Sequence, residues 1–297
     1  MKLLIAGDLH LSEKRPEHRI DGYAETVINK FLYILNCAEK EADLILFPGD
    51  FFDSPNPSYS FYTKVVSCVG CFATPIIIVF GQHDLRFRNP DNTALKALAK
   101  SFPNRIFLLE NNNQQLFHSQ VMIYGAGFNE EVPEPDKERF DVLLTHRMII
   151  DEKLWDDQTD YSWGNHFLRK HKFDLIISGD NHKNFSCLHG ERMLFNCGSM
   201  MRSSITQMEH HPSIVLLDTG TMLFNTIPIP IQPPEEVFEM ERVMKEKERD
   251  EKITAFISGL SDQKEIGLSF ESNLNAHFRE NKTKQEIIDI IEECKNE

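Results

Sequence analysis

Residues 175–182 have the sequence Leu175-Ile176-Ile177-Ser178-Gly179-Asp180-Asn181-His182. The apolar run has the length of a buried strand, and it ends at a glycine that a carboxylate and an imidazole follow closely. Four further apolar runs end in a similar way at acidic, amide or imidazole side chains. These segments are residues 3–10, 44–50, 76–84 and 142–146.

The five runs predict the fold class. Continuous apolar runs between helical segments are typical of mostly parallel strands that are covered on both faces, so we expect an α/β protein. The carboxyl ends of parallel strands share one edge of a sheet, where ligands bind. The strand ends would bring these side chains to one place: Asp8, His10, Asp50, Gln82, His83, His146, Asp180 and His182.

This set of side chains has the composition of a metal site. Divalent Mn, Fe and Mg accept carboxylate, amide and imidazole ligands. Two ions ~3.5–4 Å apart require a bridging carboxylate, and Asp50, at the end of an apolar run, suits that position. A single Gly-Asp after a strand is usually a turn, and a single His is usually a packing or surface residue. Five such endings in one chain favour the metal site.

The composition is that of an ordinary globular protein. The 297 residues are 41% hydrophobic and 26% charged. No stretch has the ~20 apolar residues that span a bilayer, and the N-terminal run is too short for a secretory signal, so we expect a cytoplasmic protein. The net charge of −14 argues against strong independent binding to DNA, because such surfaces are usually basic. Phosphate substrates are not excluded, since bound cations invert the local field.

Elements outside the apolar runs follow from spacing and turn residues. Apolar positions at helical spacing predict helices over residues 24–40, 59–72 and 93–102. Residues 214–217 and 222–227 resemble an antiparallel pair of strands around a polar turn.

A proline cluster divides the chain. Residues 228–234 are Pro228-Ile229-Pro230-Ile231-Gln232-Pro233-Pro234, which is typical of a semi-rigid linker. We therefore expect one large domain over residues 1–228, followed by a linker and a helical tail over residues 229–297.

The tail has two predicted helices. Residues 235–260 are strongly charged with sparse apolar positions, which indicates a solvated or partner-facing helix. Thr283-Lys284-Gln285-Glu286 has the capping-box pattern, and an apolar helix face follows it. That face either folds back on Phe256 and Phe278 or docks on another protein.

Taken together, the motifs resemble those of the calcineurin-like metallophosphoesterases. That family has D-x-H, G-D, G-N-H-D/E, H and G-H-x-H in this order. This sequence has Asp8-Leu9-His10, Gly49-Asp50, Gly81-Gln82-His83-Asp84, His146 and Gly179-Asp180-Asn181-His182. The resemblance covers residues 1 to about 228. It implies a four-layer α/β/β/α sandwich.

Within the family the chain is most similar to the SbcD/Mre-type DNA repair exonucleases, in the short form that phages and bacteria encode. The similarity rests on Gly49-Asp50-Phe51-Phe52-Asp53, on Gly198-Ser199-Met200-Met201-Arg202 and on the charged tail. It implies a nuclease subunit that works with an SbcC/Rad-type ATPase. The tail would bind the coiled-coil base of that partner, which would supply the DNA affinity that an acidic chain lacks.

The resemblance also implies two divalent ions, most simply Mn²⁺, with Mg²⁺ or Fe²⁺ as alternatives. One ion would be held by Asp8, His10, Asp50 and His182. The other would be held by Asp50, Gln82, His146 and Asp180.

The implied reaction is phosphodiester hydrolysis by a hydroxide that bridges the ions. His83 would stabilise the developing charge or protonate the leaving oxygen, and Asp84 would orient its ring. Five cations near the motifs could contact phosphates, although surface arginines are usually solvated. They are Arg86, Arg88, Arg147, Lys183 and Arg202.

Two positions depart from the family pattern. Gln82 stands where an Asn is usual and Asp180 where a His is usual, and both belong to the second ion. Gln is longer than Asn and Asp is shorter than His, so the two changes could offset each other. Asp180 adds a negative charge, which favours a harder ion such as Mn or Mg. We expect a retuned, working site. The alternative is a weakened second site with low activity.

The sequence is therefore compatible with three functions. The first is the DNA exo/endonuclease subunit described above. The second is a phosphodiesterase for nucleotides or other small molecules, which the net charge of −14 would suit. The third is a catalytically weak scaffold that binds DNA ends or protein partners. A homodimer through apolar residues at positions 59–66 is a further expectation.

Overall fold

The computed structural model describes residues 1–242 except 112 and 118, a few positions between 244 and 255, and residues 270–295. The chain forms two compact units, Met1–Phe238 and Glu239–Glu297. The assignment of residues 229–297 as linker and partner-binding tail stays a prediction. Much of the predicted helix over residues 235–260, and Phe256 with it, lies outside the described residues.

Strands occur throughout the first unit. In chain order they are β1 (Lys2–Ile5), β2 (Leu44–Phe47), β3 (Ile76–Val79), β4 (Ile106–Leu109), β5 (Gln114–Phe117), β6 (Val121–Ala126), β7 (Phe140–His146), β8 (Ile149–Ile150), β9 (Ser162–Trp163), β10 (Leu175–Gly179), β11 (Phe185–His189), β12 (Arg192–Asn196), β13 (Ser213–Asp218) and β14 (Phe224–Pro228).

These strands form two six-stranded sheets and a short pair. The first sheet has the order β14-β13-β1-β2-β3-β4, and the second has the order β11-β12-β10-β7-β6-β5. Strands β1 to β4 are mutually parallel, as are β12, β10, β7 and β6. Antiparallel strands lie at the edges: β13 and β14 on the first sheet, and β11 and β5 on the second. Strands β8 and β9 form the short parallel pair.

Helices cover the outer faces of the sheets in the first unit and also occur in the described part of the second. They are α1 (Tyr23–Glu41), α2 (Tyr59–Gly70), α3 (Ala94–Ser101), α4 (Gly164–Lys170), α5 (Pro234–Val237), α6 (Phe270–Glu280) and α7 (Gln285–Lys295), with a 3-10 turn at Ile205–Gln207. The predicted helices over residues 24–40, 59–72 and 93–102 correspond to α1, α2 and α3. The predicted antiparallel pair is also confirmed, as β13 and β14.

Three apolar layers explain why the strands are continuously hydrophobic. Along β1, Leu3 and Ile5 pack between the two sheets, whereas Leu4 packs against the helices on the outer face. Along β10, Ile177 faces the inter-sheet layer and Ile176 faces the outer layer near α4. Alternate side chains of a strand point to opposite faces, and both faces are buried here. The four-layer α/β/β/α architecture is the one that the resemblance implied.

The described part of the chain contains no helix that is both long enough and apolar enough to cross a bilayer.

Candidate metal centre

The predicted ligands follow strands of both sheets. Asp8 and His10 follow β1, Asp50 follows β2, and Gln82 and His83 follow β3. His146 ends β7, while Asp180 and His182 follow β10 in the second sheet. The two sheets face each other, and the carboxyl ends of these strands meet at one edge of the sandwich.

Asp8, His10 and His182 form the first group of ligands. One ligand atom from each lies within 4.8 Å of the others. The two imidazole Nε2 atoms of His10 and His182 are 3.1 Å apart, and Nε2 of His182 is 3.8 Å from Oδ2 of Asp8. This is the spacing of donor atoms that can share one cation.

A second group lies on the other side of Asp50. Oδ2 of Asp50 is 3.5 Å from Nε2 of His10 and 3.4 Å from Nε2 of His146. His146 Nε2 is in turn 3.9 Å from Oδ1 of Asp180. The Asp50 carboxylate therefore stands between the two predicted ligand sets, as a bridging ligand must.

The two departures from the family pattern contact one another. The side-chain amide of Gln82 donates a hydrogen bond of 2.8 Å to Oδ1 of Asp180. The longer amide and the shorter acid thus meet across the gap between two strand ends. The interpretation that these changes offset each other stays a prediction, as does the state of the second site.

The donor atoms of both groups fit divalent cations. Buried polar atoms in proteins are nearly always hydrogen-bonded, so those without a partner require an explanation. Four such atoms lie in this cluster: Oδ1 of Asp8, Oδ2 of Asp50, Oε1 of Gln82 and Nε2 of His146. Carboxylate, amide and imidazole donors together suit Mn, Mg or Fe. The chemistry of the residues present therefore agrees with two bound ions.

Backbone contacts hold the ligands in place. His146 Nδ1 is 2.8 Å from the carbonyl oxygen of Pro48. In a neutral ring, donation of that N–H would leave Nε2 as the lone-pair atom that faces the cluster. The backbone N–H of Asp180 donates to Oδ2 of Asp8 at 2.9 Å. His10, Asp50 and Asp180 all have positive φ angles (45°, 45° and 79°), which cost energy for non-glycine residues and occur preferentially at functional sites.

Burial and close charges perturb the titration of the cluster. Burial alone would lower the pKa of His146, but the nearby carboxylates, Asp50 foremost, raise it to about 10. Burial raises the pKa of Asp8 to about 7. For Asp50, the neighbouring His146 and His10 outweigh the effect of burial and hold its pKa at about 2. Such strongly shifted, mutually dependent groups are typical of a functional site.

The prediction that Asp84 orients the ring of His83 is wrong. Asp84 is fully buried, and its two carboxylate oxygens accept backbone N–H groups of Phe51, Phe52 and Gly81 at 2.9–3.2 Å. Asp84 therefore ties together the loops after β2 and β3 instead of contacting the imidazole. Burial and the charge of Asp50 raise its pKa to about 7.

Asp53 takes the position that was assigned to Asp84. The ring Nδ1 of His83 lies 3.1 Å from the carbonyl oxygen of Asp53 and 3.7 Å from its Oδ1. The same Oδ1 is 3.3 Å from Nδ1 of His10. Sequence reasoning missed this residue, although Asp53 stands three positions after Asp50 in the quoted Gly49–Asp53 segment. An acidic residue only three positions after the predicted ligand Asp50 was the sequence feature that could have identified it.

The five predicted phosphate contacts have different environments. Arg86 and Arg88 are exposed, Lys183 is exposed and pairs with Glu152 at 3.0 Å, and Arg147 donates to the carbonyl oxygen of Glu130 at 2.8 Å.

Arg202 was predicted wrongly as a phosphate contact of the metal centre. It is 3% exposed and donates to the carbonyl oxygens of Met208 and Gln232. Its position after the last metal motif in sequence does not bring its side chain to the metal centre, because the guanidinium turns towards the backbone of residues 208 and 232.

Two solved structures are among those similar to this chain. One, described as a novel archaeal phosphodiesterase, is similar at 14% identity, with a TM-score of 0.45, over 77% of this chain and 99% of that protein. A putative 5'-nucleotidase from Staphylococcus aureus, in complex with alpha-ketoglutarate, is similar at 13% identity, with a TM-score of 0.50. That likeness covers 84% of this chain and 58% of the nucleotidase, and it concerns the fold alone.

A comparison with curated proteins gave no match. The family model described as calcineurin-like phosphoesterase matches residues 1–184, a range that includes every ligand of the two groups. The strand-end motifs, the paired ligand groups and this match lead to one conclusion: the chain belongs to the calcineurin-like phosphoesterase family, whose chemistry is metal-dependent phosphoester hydrolysis.

Proposed function

We propose that the chain is a two-metal phosphodiesterase that acts on DNA as the nuclease subunit of a complex with an SbcC/Rad-type ATPase. The observation that carries the phosphodiesterase part is the position of Asp50. Its Oδ2 is buried without a hydrogen-bond partner and lies 3.5 and 3.4 Å from imidazole nitrogens of the two ligand groups. A carboxylate in that position would help to hold both ions.

The two ions would supply an activated hydroxide and stabilise charge on the phosphate. The chain provides the geometry and the proton transfer. The side chain of His83 is 42% exposed, whereas that of Asp84 in the same motif is fully buried. The backbone N–H of His83 donates to Oδ1 of Asp50 at 2.9 Å. The imidazole can therefore reach a phosphate oxygen above the cluster and donate a proton to the leaving group.

The nuclease assignment is supported by sequence features. The Gly49–Asp53 and Gly198–Arg202 segments resemble those of SbcD/Mre-type enzymes, and the charged tail would serve a protein partner. The described part of the second unit contains two helices, α6 and α7. A partner with its own DNA-binding surface would supply the affinity for DNA that a chain with a net charge of −14 lacks.

A specific observation favours a second candidate, a phosphodiesterase for nucleotides or other small molecules. Among the cations predicted to contact phosphates, Arg202 is buried away from the metal centre, and Arg147 and Lys183 are engaged by Glu130 and Glu152. Arg86 and Arg88 remain for a substrate. A short phosphodiester needs fewer contacts to its backbone than DNA does.

One experiment separates these functions. The Mn²⁺-loaded protein is given single-stranded DNA, double-stranded DNA and a chromogenic phosphodiester, each with and without the ATPase that co-purifies from the source cell. The nuclease proposal predicts DNA digestion that the ATPase stimulates. Turnover of the chromogenic diester alone, unchanged by the ATPase, would support the small-molecule enzyme. Absence of turnover with two ions bound would support the scaffold function.

A further inference from the structure

A second polar pocket lies away from the metal centre, between α1 and the chain that precedes α5. Its volume is about 370 Å³, which is within the range of small-molecule sites. The pocket is lined by Arg19 and Lys30, by Arg202, and by the apolar side chains of Pro230 and Ile231. None of the predicted metal ligands lines it.

The cations in this pocket outnumber the acids. Arg19 donates two hydrogen bonds of 2.8 Å to the carboxylate of Asp21. The hydroxyl of Thr26 donates to the same carboxylate at 2.7 Å. Asp21 therefore compensates Arg19. Lys30 and Arg202, which are 8% and 3% exposed, have no such partner among the carboxylates of the described residues.

Lys30 and Arg202 use backbone carbonyl groups instead. Nζ of Lys30 donates to the carbonyl oxygen of Met200 at 3.0 Å. Arg202 donates to those of Met208 and Gln232, and its Nε is buried without a hydrogen-bond partner. Carbonyl groups satisfy hydrogen bonds but do not neutralise charge. Neither cation has an ion-pair partner within the described part of the chain, and Asp21 and, for Arg202, Glu209 act on them only from beyond ion-pair distance.

The electrostatic cost of this arrangement is visible at Lys30. Burial, together with the nearby charges of Arg202 and Arg19, lowers the pKa of its amine to about 7. A buried ion is costly unless it is paired. The whole chain carries a net charge of −14, so a positive pocket is a local exception to its charge. An anion in the pocket would remove this cost.

We propose that the pocket formed by Lys30, Arg202 and Arg19 binds an oxyanion of the phosphate class. Guanidinium and ammonium groups are the protein donors that recognise phosphate oxygens. The ammonium of Lys30 has two N–H donors beyond the one that it gives to Met200, and the exposed Asn29 on α1 lines the pocket. Inorganic phosphate and a nucleoside monophosphate share this chemistry. The apolar rim of Pro230 and Ile231 would contact the organic part of the second.

The pocket is joined to the metal centre by the backbone of residues 199–202. Met200, whose carbonyl oxygen accepts from Lys30, donates its N–H to the carbonyl oxygen of Asp8 at 2.9 Å. The neighbouring Ser199 N–H donates to the carbonyl oxygen of His182 at 3.1 Å. An anion that holds Lys30 and Arg202 would thus stabilise the segment on which two predicted ligands rest. The proposal does not depend on DNA being the substrate.

The test is calorimetric titration of the full-length protein with inorganic phosphate and, separately, with adenosine monophosphate. Each titration is made after chelation and again with Mn²⁺ bound, because a metal centre adds its own phosphate binding to every variant. The chelated wild-type protein should bind one anion per chain. Asn29→Glu, which places a carboxylate at the opening, should weaken that binding at least tenfold in both states.

Asn36→Glu is the matched control, since Asn36 is an exposed residue of α1 that does not line the pocket. It changes the charge equally and should bind like the wild type. Lys30→Met should also lose the site; if that variant does not fold, the two exposed variants still decide.

Equal affinity of N29E and N36E, or no binding to the chelated protein at millimolar anion, would overturn the proposal. Adenosine monophosphate binding more than tenfold tighter than phosphate would identify a nucleotide as the ligand, whereas equal affinity would identify the free anion.

Discussion

At the scale of single residues, Asp53 connects a predicted ligand with the predicted proton donor. Its Oδ1 is 3.3 Å from Nδ1 of His10, whose Nε2 faces the cluster. Its carbonyl oxygen is 3.1 Å from Nδ1 of His83. A carboxylate behind a metal-bound imidazole fixes the ring and raises its basicity. Asp53 is therefore a positioning residue for both rings.

Replacement Asp53→Ala should lower metal affinity by about 10–100-fold, the usual effect of removing such a partner. Since the side chain is 39% exposed, the variant should still fold. Calorimetric titration with Mn²⁺ measures the change. The exposed Asp157 offers the control D157A, which should bind as the wild type does. An unchanged affinity in D53A would refute the positioning role.

His83→Ala should lower kcat by about 10²–10⁴, the usual contribution of a general acid, while two ions remain bound. The ions should remain because the half-exposed ring lies outside both predicted ligand sets. Turnover of a chromogenic phosphodiester and metal content by atomic emission are measured together. His211→Ala, at an exposed histidine, is the control. If H83A loses metal as well as turnover, the imidazole is a ligand, as its place in a cluster with His10 and Asp53 would allow.

The raised pKa of His146 predicts that metal binding releases a proton. With a pKa of about 10, the ring of the metal-free protein is protonated at pH 8.5, whereas a ligand must be neutral. Asp8, at about 7, is already ionised at this pH. Apparent affinity should therefore rise up to tenfold per pH unit between about pH 8 and 9. Calorimetry in buffers of different ionisation enthalpy counts the protons. A count of zero at pH 8.5 would contradict this assignment.

At the scale of elements, the metal centre depends on loops that approach one another without side chains between them. A Cβ on Gly81 would overlap the carboxylate of Asp50, and a Cβ on Gly179 would come within 2.5 Å of Oδ1 of Asp8. Glycine is the residue that permits such an approach. The loops after β1, β2, β3 and β10 are thereby placed in contact with one another.

Gly81→Ala should displace Asp50 and weaken metal binding at least tenfold, with a loss of ~1–3 kcal/mol in the free energy of unfolding, which is typical of overpacking. Metal titration and urea denaturation measure the two effects. At Gly70, the last residue of α2, an added Cβ would meet only open space. G70A should therefore bind metal normally. Similar metal affinity of both variants would show that the tight approach at Gly81 is not required.

At the scale of the whole molecule, the metal centre joins the two sheets. Asp8 and Asp50 extend from the first sheet, and His146 and Asp180 extend from the second. Without cations, the positive charge of His146 balances the carboxylates of Asp8, Asp50 and Asp180 only in part. Bound ions would attract both sides and stabilise the sandwich.

Removal of the ions should therefore lower the thermal stability. Each ion present at 100 times its Kd stabilises the folded state by ~2.7 kcal/mol. For a unit of this size, the loss of one such ion corresponds to a fall in Tm of roughly 5–10 °C, and the loss of both to about twice that. Differential scanning calorimetry before and after chelation measures the fall, and re-addition of Mn²⁺ should reverse it. An identical Tm in both states would argue that the centre contributes nothing to folding.

Much of this architecture was predictable from local pattern. The apolar runs at residues 3–6, 44–47 and 175–177 became central strands because both of their faces are buried. Helices α1 to α3 followed from apolar spacing. The roles of Asp84 and Arg202 were predicted wrongly, because neighbourhood in sequence was taken for neighbourhood in space. Asp84 turns inward to three backbone N–H groups, and Arg202 turns to two carbonyl oxygens.

The amino-acid sequence by itself determined the strands, their polar ends and the kinds of atoms offered to a cation, since each depends on residues close together in the chain. Only the tertiary structure decided that Asp50 stands between two ligand groups, that Gln82 bonds to Asp180, and that Asp53 supports two histidines. Tertiary structure also buried Lys30 and Arg202 without an ion-pair partner among the residues that the structure describes. Such relations depend on the register and separation of two sheets, which no local pattern encodes.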